Sequence, residues 1–333
     1  MVASREIHLA SRPHGLPTTG DFALVTVETA PLREDEVLVR NLVMSVDPYM
    51  RGRMNEGKSY VPPFAVGKPL DGAAIGEVVE SRSAALPIGT IVSSTLGWRD
   101  YAVAAAKELH AVDRSIKPLS VHLGALGMTG MTAWIGLRVV EAKAGDVVYI
   151  SGAAGAVGSV AGQLAKKRGC RVIGSAGSAD KVEFLIGECG FDAAFNYRLG
   201  PIVEQLAREA PDGLDVYFDN VGGQVLEACL FNMKDHGRIA CCGAASQYDG
   251  PGAAYAPRGV PGLIVTKRLV LRGFVVMDFE AGNERALADL RSWVESGKLK
   301  VYEDIIDGFE NLPQALIGLL AGENVGKRMV RVV

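Results

Sequence analysis

The sequence predicts an α/β chain of two domains, one an antiparallel, barrel-like β domain and the other a doubly wound parallel sheet. Three observations predict it. The stretch 147–158, VVYISGAAGAVG, runs from a short apolar segment through a glycine cluster into the helical pattern VAGQLAKKRG. Downstream, short apolar runs return at intervals filled by helical patterns. Upstream, to about residue 120, short β-rich runs alternate with Gly/Pro turns instead.

The upstream runs are FALVTVET, EVLVRNLVMSV, GAAIGEVVES, GTIVSST and DYAVA, whose spacing is that of an antiparallel sheet. Among them lies VDPYMRGRMNEGKSYVPPFAVGKPL, a loop-rich stretch broken by Pro48, Pro62, Pro63 and Pro69. It carries Tyr49, Tyr60, Arg51 and Arg53, and aromatics with arginines on a long loop suit a binding site. The alternative is that Tyr49 and Met50 pack the loop down. From Leu123 the periodicity turns helical, and HLGALGMTGMTAWIGLRVVEA leads into the run at Val147.

VVYI reads as a buried parallel strand, since such strands are covered on both faces and show no alternation. After it come Gly152, Gly155 and Gly158, then Val157, Val160, Ala161, Leu164 and Ala165 at helical spacing. Strand, glycine turn and helix bring a pyrophosphate to a helix N-terminus, where free N–H groups and the positive dipole end bind it. The usual dinucleotide fingerprint asks for glycine where Ala153 stands, leaving Ala-x-Gly-x-x-Gly with an extra Gly152. Such turns also serve purely structural ends, so the next strand matters. It is RVIGS at 171–175, as a βαβ unit requires. An NAD site carries Asp or Glu at its end, but no acid occupies 174–179. Ser178 and Lys181 are placed there instead to meet a 2′-phosphate, which points to NADPH. The other reading makes Ser178 an N-cap and Lys181 a solvated lysine. Asp180 is expected to face solvent or cap the following helix.

Further strands are expected at 193–196 (AAFN), 215–219 (DVYFD), 238–243 (RIACCG) and 269–276 (LVLRGFVV), with helices at 202–208 and 224–233 between them. Six strands with helical crossovers complete a doubly wound sheet. The turns DNVGG and CGA follow two of these strands and should line the ligand crevice. Residues 247–261 read as a loop and 282–296 as an amphipathic helix. The final VGKRMVRVV ends in an alternating strand expected to return to the first domain.

Composition narrows the function. Of 333 residues 48% are hydrophobic and 22% charged, with a net charge of −3, so large cores can form and no nucleic acid or anionic membrane partner is expected. Without a signal-peptide pattern or a membrane-length apolar run, a cytoplasmic protein is expected. The five cysteines, Cys170, Cys189, Cys229, Cys241 and Cys242, form no CxxC pair and have no histidine at ligand spacing, so no metal site is expected. Small buried hydrophobes is the reading for most of them.

With these residues in view the chain resembles the zinc-independent branch of the medium-chain dehydrogenase/reductases, more narrowly NADPH-dependent curcumin reductases and prostaglandin or alkenal double-bond reductases. The resemblance rests on VDPYMRGRM, LGMTGMTAWIGL, SGAAGAVGSVAGQLAKKRGCRVIGSAGSADK, FDAAFNY, DVYFDNVGG, GRIACCGAASQY, RGFVV and GENVGKRMVRV, which span nearly the whole chain. It implies a GroES-like β-barrel substrate domain from residues 1–124 and 297–333, and a Rossmann NADPH-binding domain from 125–296. It implies cofactor contacts at Gly155, Ala156, Val157, Gly158, Ser178, Lys181, Tyr197, Asn220, Cys242, Phe274, Val276 and Asn324. It also implies a homodimer acting on small-molecule enones or enals, with hydride delivered to the β-carbon and a proton to the α-carbon. Some relatives place a tyrosine where Thr266 stands here. Tyr60, in SYVPP, is the first candidate for proton donor or carbonyl ligand, with Tyr49 on the same loop a further candidate and Tyr255 and the nicotinamide ribose 2′-hydroxyl as rivals. A zinc-free quinone or carbonyl oxidoreductase, or an NADPH-binding protein without turnover, are the competing readings.

Overall fold

Six parallel strands organise the second half of the computed structural model, which describes residues 1–248, 257–279 and 283–332. Across the sheet they run Ala193–Asn196, Arg171–Ala176, Val147–Ile150, Leu214–Asp219, Met233–Cys241 and Val270–Gly273. The first three strands in the chain build outward on one side and the next three on the other. The order therefore reverses between Val147–Ile150 and Leu214–Asp219, which pair in parallel through Val216 and Val148. This is the Rossmann sheet expected, and its crevice opens where the order reverses. The crossover helices are Ala156–Lys167, Ala179–Gly187, Ile202–Glu209 and Gly223–Asn232.

The core follows from the apolar runs. Tyr149 and Tyr217 are fully buried neighbours on adjacent strands, stacked with centroids 5.2 Å apart, and Phe195 continues the row 5.9 Å from Tyr149. Leu206, Leu230 and Ile239 close over them, each fully buried and each contributing about 1.5–3 kcal/mol. Two expected strands end early. The 238–243 run leaves the ladder after Cys241, since the Cys242 and Gly243 amides turn back to the Asp219 carbonyl, at 2.9 and 3.0 Å. The 269–276 run keeps only Val270–Gly273, and Val276 opens a 3-10 turn, Val276–Phe279.

The chain divides into two units: Met1–Leu123, Glu303–Asn324 and Arg328–Val333 in one, Gly124–Tyr302 with Val325–Lys327 in the other. Residues 297–302 fall in the second unit rather than the first. Lys300 and Gln163 exchange hydrogen bonds at 2.9 and 3.0 Å, and the Tyr302 ring meets Phe184 edge-on at 4.7 Å.

The first unit is the GroES-like fold. Its main sheet takes Glu303–Asp307, Lys327–Arg331, Glu36–Ser45, Ala74–Ser81, Ile91–Ser94 and His110–Ala111 in that order, and Tyr101–Ala105 also pairs with Glu36–Ser45. A hairpin of Ala3–Leu9 and Phe22–Glu28 stands beside it. Trp98, Met44, Met50, Met54, Leu70 and Phe309 fill its core. The stretch expected as loop contains one short helix, Tyr49–Arg53.

Candidate active site

The glycine turn is built by three different constraints. Gly152 has φ +57, so it takes the sharp turn one residue before the place where the fingerprint expects a glycine. Gly155 is the N-cap of Ala156–Lys167, with Ala156 and Val157 opening the helix. A Cβ at Gly158 would lie 2.5 Å from the Gly152 carbonyl oxygen and 2.7 Å from the Ala153 Cα, so only glycine lets helix and turn approach this closely. Ala153 is fully buried and needs no glycine's freedom. Gly326, in the returning segment Val325–Lys327, donates its N–H to the Ala154 carbonyl at 2.8 Å and forms a parallel bridge with Gly155. Asn324, the residue before this segment, is buried.

The second strand ends at Ala176, and Gly177 carries no side chain for good reason. A Cβ there would lie 2.9 Å from the Tyr197 hydroxyl and 3.3 Å from Arg198 Nε. Ser178 is the N-cap of Ala179–Gly187, its hydroxyl accepting the Lys181 N–H at 3.4 Å. The capping reading of Ser178 therefore holds, and Gly177 just before it is the residue that stands beside Tyr197 and Arg198. Asp180 is exposed in the helix's first turn and is not the cap. The Tyr197 hydroxyl and Arg198 guanidinium beside Gly177, with no acid at 174–179, are donors of the kind a 2′-phosphate takes.

On the other side of the order reversal, Asp219 and Asn220 end the fourth strand. Asp219 is 2% exposed, and its Oδ1 accepts from the Tyr217 hydroxyl at 2.6 Å, Val221 N at 2.9 Å and Gly222 N at 2.7 Å. Burial pushes its carboxyl above the ordinary range, opposed by these donors. Asn220 donates its side-chain amide to the Ser151 carbonyl at 2.8 Å, and Ser151 Oγ accepts the Asn220 N–H at 3.1 Å. Gly222 (φ +71) and Gly223 (φ +54) complete a turn only glycine adopts readily. The Cys242 turn is tied to it: Ala245 N donates to the Asn220 carbonyl, and Ser246 Oγ to the Val221 carbonyl at 2.6 Å. Burial raises the Cys242 thiol to about 12, so it stays protonated. Phe274 packs edge-on against Phe218 and Phe279, each at 6.4 Å.

The structure thus brings Gly155, Ala156, Val157, Gly158, Asn220 and Cys242 to the glycine turn and the strand ends facing it, and Ser178, Lys181 and Tyr197 to the end of the second strand. Sequence reasoning missed Arg198 and Tyr248, and it placed Asp219 only as part of the DNVGG turn, not as the acceptor that holds it. The Tyr248 hydroxyl accepts the Ala244 N–H at 3.2 Å and lies 3.3 Å from where a Gly243 Cβ would be. No spacing rule points to these residues.

In the first unit the two loop arginines prove to be structural. Arg51 is fully buried and donates to the Gly15 carbonyl, the Pro13 carbonyl and Asn55 Oδ1. Arg53 pairs with Asp71, donates to the Pro62 carbonyl at 2.9 Å and stacks over Phe64 at 4.0 Å. Tyr49 packs partly buried against the Met50 core, and burial then Asp47 push its hydroxyl well up. Tyr60 is 61% exposed. Thr266 bonds back to the Gly262 carbonyl of its own helix at 3.1 Å, and Tyr255 lies outside the described residues. All five cysteines are free thiols, and among the described residues no group of three or more His, Cys, Asp or Glu is placed to hold a metal.

The chain as a whole is similar to known proteins. Residues 5–112 match a family model described as the N-terminal domain of oxidoreductase, and 156–292 one described as zinc-binding dehydrogenase. Prostaglandin reductase 1 of Mus musculus is 43% identical over 338 residues, covering 99% of this chain and 100% of its own. The NADP(+)-dependent 2-alkenal reductase of Nicotiana tabacum is 40% identical over 341 residues, covering 99% and 98%. The crystal structure of CurA from Vibrio vulnificus in complex with NADPH superposes with a TM-score of 0.94 at 37% identity, covering 99% of both chains. The chain belongs to the medium-chain dehydrogenase/reductase family, in its zinc-independent branch. It is an NADP-dependent oxidoreductase, and its cofactor is NADPH.

Proposed function

We propose that the protein saturates the carbon–carbon double bond of α,β-unsaturated ketones and aldehydes. The observation that carries this reading is 40% identity, over nearly the whole chain, to a relative named for reducing 2-alkenals. NADPH supplies a hydride, which this reading directs to the β-carbon. In the proposed site the amides around Gly155, Ala156, Val157 and Gly158 hold the pyrophosphate, and Ser178, Lys181 and Tyr197 the 2′-phosphate. Asn220, Cys242, Phe274, Val276 and Asn324 serve the remainder of the cofactor.

Hydride addition leaves negative charge on the carbonyl oxygen, so a hydrogen-bond donor aimed there lowers the barrier. The α-carbon then takes a proton. We assign the donor role to Tyr60, whose exposure leaves it open to a substrate. Tyr49 and Tyr255 are the alternatives; the raised hydroxyl of Tyr49 makes it a hydrogen-bond donor and not a base. We also propose a cytoplasmic homodimer. No helix among the described residues is long and apolar enough to cross a membrane, and sedimentation equilibrium reads the oligomer.

The test is NADPH oxidation against a panel of enones, enals, quinones and simple aldehydes, with products identified. An alkene saturated with its carbonyl kept is expected. Turnover confined to quinones or simple aldehydes, or none at all, would reject the reading. Tyr60→Phe should lower kcat on the best enone by about a hundredfold, a general-acid contribution, with NADPH affinity unchanged. Unchanged kcat and KM would remove Tyr60 from the site.

A further inference from the structure

We propose that Arg198 is a specificity-determining residue for NADPH, its guanidinium holding the 2′-phosphate. It belongs to the short turn Tyr197–Leu199 that follows the strand Ala193–Asn196. Asn196 caps that turn by accepting the Arg198 N–H at 3.0 Å, which fixes where the side chain starts. From there it reaches the end of the neighbouring strand, where its Nε stands 3.3 Å from the position of a Gly177 Cβ. The Tyr197 hydroxyl stands 2.9 Å from the same point. Both side chains therefore close over the backbone that leads into Ser178.

The electrostatics of the spot favour an anion. Among the described residues the Arg198 guanidinium stands over the Tyr197 ring, 5.8 Å from its centroid, and is in no ion pair with a carboxylate, Asp180 of the adjacent helix included. A guanidinium left with its donors open offers a planar fork that matches two phosphate oxygens at once. Lysine offers only a point charge. NADH carries a neutral hydroxyl at this position, so the contact rewards only the phosphorylated cofactor. The inference concerns the cofactor and stands whichever electrophile is reduced.

A guanidinium can also stack on the adenine ring, and the test separates the two roles. Binding of 2′,5′-ADP and of 5′-AMP to the full-length protein is measured by calorimetry, with no substrate present. Arg198→Gln should weaken 2′,5′-ADP by about tenfold, the effect of one charge-assisted contact at an exposed site. It should change 5′-AMP by less than about twofold, because that ligand lacks the phosphate the fork would hold. Arg198→Lys should fall between, and the difference should shrink as salt is raised. The same variants should raise KM for NADPH without raising it for NADH. Equal weakening of both ligands, or none, would overturn the assignment. Failure of the enone reading in the substrate panel would leave this binding result intact.

Discussion

Asp219→Ala and Asp219→Asn should behave very differently. Asp219 is buried, has no cation among its hydrogen-bond partners, and receives the Val221 and Gly222 amides at 2.9 and 2.7 Å. Alanine removes the acceptor and leaves two amide donors without it. Tyr217 keeps Ser151 Oγ at 3.0 Å, so its loss is partial. At about 1–3 kcal/mol per stranded donor, the cost is roughly 3 kcal/mol, or roughly 6–12 °C in the Tm of a unit this size. Asparagine keeps an oxygen where Oδ1 stands and removes only the charge. Burial already disfavours that charge, so Asp219→Asn should cost no more than about 1 kcal/mol at neutral pH. The pH dependence has a fixed sign. A carboxyl whose pKa is raised in the folded state adds stability that is full below its ordinary pKa and lost as pH rises through the raised one. The parent's margin over Asp219→Asn should therefore shrink from acid toward neutral pH. Differential scanning calorimetry across that range, with NADPH titration at neutral pH, reads all of this. An Asp219→Ala protein that melts with the parent and binds NADPH equally would refute the role given to the carboxylate. An Asp219→Asn protein as unstable as Asp219→Ala would show that charge, not acceptor geometry, holds the turn.

Three other substitutions probe the remaining parts. Gly158→Ala puts a methyl 2.5 Å from the Gly152 carbonyl oxygen, so helix and turn must part; a loss of about 2 kcal/mol and at least about tenfold weaker NADPH binding are expected from unfolding curves and titration. Ser178→Ala removes a helix cap and a proposed phosphate contact together, so stability should fall by about 1 kcal/mol while KM rises for NADPH more than for NADH. Arg53→Ala frees the Pro62 carbonyl, Asp71 and the face of Phe64 at once; it should raise proteolytic sensitivity after Met54 and raise KM for the enone with NADPH affinity unchanged.

The parallel sheet was legible because strands covered on both faces are spelled as unbroken apolar runs, as VVYI and DVYFD are. The acid-free stretch 174–179 was equally readable, since the signal lies within a few consecutive residues. What sequence concealed depends on partners far along the chain. Arg51 and Arg53 looked like ligand-binding arginines on a loop. Their partners, the Gly15 carbonyl and Asp71, give no spacing signal that the charges are already used. Arg198 meets Gly177 only because two strands lie side by side. Asp219 looked like part of a turn motif, and only its burial shows that it holds that turn. The missing glycine at 153 looked like a defect until Gly152 was seen to carry the positive φ.

The central claim is conjugate reduction by NADPH, and the position of a transferred label tests it most directly. With NADPH deuterated at its hydride position and an enone as substrate, the saturated product should carry deuterium on the β-carbon, with the carbonyl intact. Deuterium on a carbinol carbon, with the alkene preserved, would contradict the account.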